Sequence, residues 1–138
     1  MRYLGLDLGT TTLGVAITDK TNTLVSPLTL IKFAKKDYEK ALEELMKLIK
    51  EYNIKEVVLG LPKNMDNSLG FAAKRSLSFK EMLEMQNIVV HLEDERLTTV
   101  EALNILKTNG LKKINTKNKT DILSAQLILE AYIKRFNK

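Results

Sequence analysis

Residues 3–19 read YLGLDLGTTTLGVAITD, and the fold depends on how this stretch divides. Leu4, Leu6 and Leu8 recur at every second residue, as do Leu13, Val15 and Ile17, which is the period of a strand with one buried face. Gly9 and three threonines separate the two runs, so residues 2–8 and 12–19 read as two strands joined by a short turn. After the polar turn DKTNT, LVSPLTLI is a third strand. Pro27 within it has no N–H for a ladder and assigns it to a sheet edge. Asp7 interrupts the apolar first strand, where an unpaired carboxylate is costly, so it reads as functional. A carboxylate beside a tight polar turn suits either a phosphate loop or a metal site, and the rest of the chain has to choose.

Outward from this unit, Tyr38, Ala41, Leu42, Leu45, Leu48, Ile49 and Tyr52 follow helical spacing between Lys36 and Tyr52, and Asn53 ends the helix. IKEVVLGLP is a short branched strand stopped by Gly60 and Pro62. KNMDNS is a loop in which Ser68 or Asn67 caps the next helix, which runs to about Met85. NIVVHLED is a fifth strand ending on Glu93, Asp94, Glu95 and Arg96. Thr98 or Thr99 caps a further helix closed by Gly110, and Thr98 with Glu101 matches a capping box. LKKINTKNKT is basic and polar, and DILSAQLILEAYIKRF is a buried last helix with Asp121 at its N-terminus. The order implies an α/β domain over residues 1–138. Its mixed five-stranded sheet is a three-strand antiparallel meander plus two further strands, flanked by about four helices.

The composition narrows the chemistry. With no cysteine, thiolate catalysis, disulfides and Cys-based zinc sites are excluded, and the single His91 cannot build a histidine metal site. His91 itself reads as a packed or edge residue of the fifth strand. Any metal must be held by oxygen ligands, which favours Mg²⁺ or Mn²⁺. The net charge of +5 suits a polyanionic partner. No run has the length of a membrane span and no signal peptide opens the chain, so a cytoplasmic protein without membrane association is expected.

Asp7, the pair Asp94 and Glu95, and Asp121 each fall at the end of an element, where packing does not require a carboxylate. If the first and fifth strands run the same way, their ends meet on one sheet edge within reach of the last helix. Carboxylates converging there would bind one or two divalent ions that clamp a phosphodiester. Arg96 offers forked donors to a phosphate. Lys112, Lys113, Lys117 and Lys119 offer a basic path for nucleic acid, and Asn64 and Asp66 are turn residues that can line the site.

Four segments in this order, GLDLGTTTLGVAITD, VVLGLPKNMDNS, DERLTTVEAL and TDILSAQLILEAYI, resemble the YqgF (RuvX) family of ribonuclease H-like proteins along nearly the whole chain. The resemblance implies a ribonuclease H-like fold and a nuclease with a carboxylate-bound divalent metal. It also implies roles in maturing the 5′ end of pre-16S ribosomal RNA and in resolving Holliday junctions. The family's catalytic acids fall on Asp7, on Asp94 or Glu95, and on Asp121. Adjacent strand residues face opposite ways, so only one of the two can be the ligand; the choice stays open between Asp94 and Glu95, with a narrow preference for Glu95. The implied partners are structured RNA or branched DNA and ribosomal precursor particles, with the protein acting as a monomer or homodimer. The chain departs from the family pattern at Thr11 and Thr12, where a basic pair is usual, and at Asn67, where glycine is usual.

Two other classes compete. GLDLGTT also opens actin-like ATPases and sugar kinases, but these need a second such domain and a second glycine-rich loop. A non-catalytic RNA-binding assembly factor suits the positive charge. Clustered carboxylates oppose it, because they repel phosphate unless a metal offsets them.

Overall fold

The computed structural model describes residues 2–62, 70–94 and 116–136, with side chains described for 122–135 of the last stretch. Five strands and three helices lie among them. They are β1 (Tyr3–Leu8), β2 (Thr12–Thr18), β3 (Val25–Lys32), α1 (Tyr38–Glu51), β4 (Glu56–Leu61), α2 (Phe71–Glu84), β5 (Val89–Asp94) and α3 (Thr116–Phe136). The sheet order is β3-β2-β1-β4-β5. β1 pairs antiparallel with β2, and β2 with β3, while β1 and β5 both run parallel to β4. This is the mixed five-stranded α/β sheet expected from the order of the elements, in the ribonuclease H-like arrangement that the family resemblance implied.

Alternation along the strands separates two cores. Leu4, Leu6, Leu8, Val57, Leu59 and Val90 face α1 and α2, where they meet Ala41, Leu45, Ile49, Phe79 and Leu83. The opposite face carries Ala16 and Val58 against Ala125, Ile128, Leu129, Tyr132 and Ile133 of α3. A β-carbon on Gly5 would lie 2.6 Å from the Ala125 carbonyl oxygen and 2.7 Å from Leu129 Cβ. Only a residue without one lets α3 sit this close to β1.

Pro27 occupies the edge strand, as its missing donor requires, beside an irregularity where the β2–β3 register shifts between Val15 and Ala16. Asn53 and Asn87 follow α1 and α2 with φ of 54° and 64°, the left-handed geometry asparagine tolerates after a helix.

Two expectations need correction. The N-cap of α2 is Gly70, which makes no side-chain cap bond, so the cap is neither Ser68 nor Asn67, both outside the described residues. The last helix begins at Thr116, so Asp121 lies in its second turn and not at its N-terminus. The segment before Asp121 is polar, but it contains no glycine or proline after Gly110 to stop a helix. The helix expected after Thr98, with Glu101 and Gly110, lies outside the described residues. Among the described residues no helix is long and apolar enough to cross a membrane.

Candidate functional site

Asp7 is the next-to-last residue of β1, opposite Gly14 of β2, and is half-buried. Leu6 and Leu8 on either side of it belong to the α1 and α2 core, so alternation turns Asp7 toward the α3 face. The turn after it is closed by its own hydrogen bonds. Gly9 N–H donates to the Thr12 carbonyl at 2.7 Å, while Phe33 and Lys36 N–H groups donate to the carbonyls of Thr11 and Thr10. The Gly9 amide that a phosphate loop would present is therefore used inside the hairpin, and the neighbouring carboxylate becomes the candidate for chemistry.

The register carries the level of Asp7 across the sheet. Leu6 pairs with Leu59 and Leu59 with Leu92, so one residue further on Asp7, Gly60 and Glu93 form a row on the α3 face. Two interstrand steps separate the ends of the row, about 10 Å, with no side chain at Gly60 between them. The parallel directions of β1 and β5 bring their C-terminal ends to one edge of the sheet, as the carboxylate arrangement requires.

Glu93 is buried, and Arg135 of α3 reaches it with Nη2 2.6 Å from Oε1. The contact is an ion pair between a buried carboxylate and a guanidinium that reaches in from the helix surface. Burial raises the Glu93 carboxyl above its ordinary range, and the Arg135 charge offsets only part of that. Two residues earlier on the same face, His91 Nε2 lies 2.7 Å from Glu56 Oε1 of β4. The His91 ring centre is 5.0 Å from that of Tyr132, and Tyr3 is 5.8 Å from Tyr132. Burial also pushes the Tyr132 hydroxyl up. His91 is thus a packed residue engaged with a carboxylate.

The predicted site residues divide as follows. Asp7 lies at the edge where β1 and β5 end. Asp94 closes β5, is exposed, and alternates with Glu93, so it belongs to the face opposite Asp7. Asp121 is in the backbone of α3, the helix packed on the Asp7 face. Lys117 and Lys119 belong to the first turns of α3. Glu95, Arg96, Lys112, Lys113, Asn64 and Asp66 lie outside the described residues. Among the described residues no three acidic or histidine side chains converge as a metal site. Asp7 is the candidate ligand described on the α3 face. An all-oxygen donor set containing it fits a hard divalent ion, since the chain has no thiol and its only imidazole faces Glu56.

Sequence reasoning noted Glu93 in an acidic cluster but missed its partner. Arg135 is forty-two residues away in sequence, and its only local signal is a cation in the last turn of a helix, which the helix dipole already explains.

The family model described as "RuvX: Holliday junction resolvase" matches residues 1–135. A protein of Onion yellows phytoplasma (strain OY-M) named "Putative pre-16S rRNA nuclease" is 42% identical over 132 residues, covering 94% of this chain and 87% of that one. A Bacillus subtilis (strain 168) protein of the same name is 39% identical over 138 residues, covering 99% of this chain and 100% of that one. Among solved structures, Thermus thermophilus RuvC shares the fold with a TM-score of 0.61 at 14% identity, covering 99% of this chain and 97% of that chain.

Proposed function

The chain belongs to the RuvX family, and from that premise we propose that it is a divalent-metal-dependent nuclease that trims the 5′ end of pre-16S ribosomal RNA. The observation that carries the reading is Asp7: a half-buried carboxylate in a leucine-lined strand, on the α3 face, at the edge where β1 and β5 end together. Asp7, Glu95 and Asp121 would hold Mg²⁺ or Mn²⁺ through carboxylate oxygens. Asp94 belongs to the face opposite Asp7, and Glu95 is therefore the preferred member of the pair. When bound, the ion supplies Lewis-acid activation of the phosphodiester and of the attacking water.

The chain's own groups do the rest. Arg96 would steady a phosphate with paired N–H donors, and Lys112, Lys113, Lys117 and Lys119 would hold the strand by charge. Their cations offset the repulsion that the carboxylates impose on the backbone.

Purified protein with Mn²⁺ or Mg²⁺ should shorten a pre-16S leader RNA, and Asp7→Asn should abolish cleavage while the protein stays folded. Equal cleavage by Asp7→Asn would sink the assignment. A four-way DNA junction in parallel separates the two family activities, since junction resolution needs two paired cuts. A second reading, a non-catalytic RNA-binding assembly factor, draws on the net charge of +5 and on Thr11 and Thr12. Salt-sensitive RNA binding with no cleavage in either metal would establish it.

A further inference from the structure

We propose that Glu93 and Arg135 are positioning residues: their ion pair, buried on the Glu93 side and exposed on the Arg135 side, clamps the C-terminal end of α3 to β5 and so fixes the two elements that bring acids to the site. The inference deepens the nuclease reading and rests on it.

The way α3 is attached suggests the role. Over β1 and β2 the helix is held by apolar contact, with Ala125 and Leu129 pressed against Gly5 and with Ala16 and Val58 in the same cluster. Over β5 the corresponding face offers His91 and Glu93, with Val89 half exposed at the start of the strand. There the helix is fastened by Arg135, whose guanidinium lies across the Tyr132 ring at 5.9 Å and ends 2.6 Å from Glu93. Glu93 is 8% exposed and Arg135 is 56% exposed. The pair therefore joins a charge committed to the sheet with one that reaches in from the helix surface.

An aliphatic pair at this place would bury area with less directional demand. A charge pair is satisfied by one placement of the guanidinium, and breaking it strands a buried carboxylate.

The lever works on the acids. α3 has 21 residues and behaves as a rod of about 30 Å. Its close contact with Gly5 lies between Ala125 and Leu129, about 9 Å from Asp121 on one side and about 12 Å from Arg135 on the other. Swinging about that contact, 1 Å of freedom at Arg135 becomes roughly 0.75 Å at Asp121. Errors of this size misplace reacting groups enough to cost up to about a hundredfold in rate. On the strand side, Glu93 is next to Asp94, so the clamp holds β5 immediately before the acidic pair.

The test separates positioning from stability. Removing both partners together leaves no uncompensated carboxylate buried at position 93. The double variant Glu93→Leu with Arg135→Leu should therefore stay folded, with a melting temperature close to that of the wild type. We expect it to cleave leader RNA with kcat down about tenfold or more and half-saturating Mn²⁺ raised about tenfold, with KM for RNA within about twofold. A stable double variant with wild-type kcat and wild-type Mn²⁺ dependence would overturn the clamp. Should that variant fail to fold, Arg135→Lys decides, because it keeps the charge and loses the planar fork. A partial fall in kcat with a raised Mn²⁺ requirement supports the clamp, and wild-type values overturn it. Failure of the wild type to cleave in either metal overturns the nuclease reading and the positioning role with it, an outcome distinct from active but insensitive variants.

Discussion

Replacing Gly5 by alanine should move α3 off the sheet. The new β-carbon would meet the Ala125 carbonyl oxygen at 2.6 Å and Leu129 Cβ at 2.7 Å, whereas ordinary contact begins near 3.4 Å. To restore ordinary separation the helix must retreat by about 0.8 Å, and interiors packed to this density do not absorb such a shift freely. Overpacking of this kind costs about 1–3 kcal/mol, which corresponds to a fall in melting temperature of about 3–12 °C at this chain length. Thermal and urea unfolding of Gly5→Ala measure it directly. Adding Leu129→Ala should not rescue stability, because the obstructing atoms are a backbone oxygen and a β-carbon that alanine keeps. Since α3 also carries Asp121, the same displacement should lower RNA cleavage more than the loss of folded protein accounts for. A Gly5→Ala protein as stable as the wild type, or one restored by Leu129→Ala, would refute the close-approach argument.

Thr18→Val should destabilise the fold by about 1–3 kcal/mol in urea titrations. The buried Thr18 hydroxyl accepts from Tyr3 N–H at 2.9 Å and donates to Asn22 Oδ1 at 2.7 Å, and valine leaves both without it. Asp19 predicts a pH effect. The Thr23 N–H, with the Leu24 N–H and the Thr21 and Thr23 hydroxyls, holds its carboxyl below the ordinary aspartate range in the folded protein. Its contribution is therefore present above the unfolded-chain pKa and lost as pH falls through the lower folded one. Urea midpoints of wild type and Asp19→Asn should differ at neutral pH and converge in acid, and parallel curves would contradict this. Changing Lys112, Lys113, Lys117 and Lys119 to glutamate should weaken RNA binding. It should also flatten the salt dependence by about 0.7 in log–log slope for each phosphate of a single strand that is no longer neutralised. An unchanged slope would remove these lysines from the interface.

The sequence by itself determined the sheet and the first acid. Alternation at Leu4, Leu6 and Leu8 and at Leu13, Val15 and Ile17 leaves one register for the hairpin, because a slip of one residue would turn each leucine to the wrong face. It also made Asp7 conspicuous, since a carboxylate between two core-facing leucines needs a reason beyond packing. Pro27 marked the edge strand through the donor it lacks. The start of α3 was misjudged because lysine, asparagine and threonine look like loop composition, yet nothing in that segment forbids helix.

Only the tertiary structure decided which residues share a level and a face. That β1 and β5 are parallel, with β4 between them, depends on crossover connections whose direction no local pattern records. From this arrangement it follows that Asp94 alternates away from Asp7, and that Glu93 stands in Asp7's row. The Glu93–Arg135 pair joins residues that chain separation hides from any sequence period, and the need for glycine at position 5 comes from a helix that packs there from the far end of the chain.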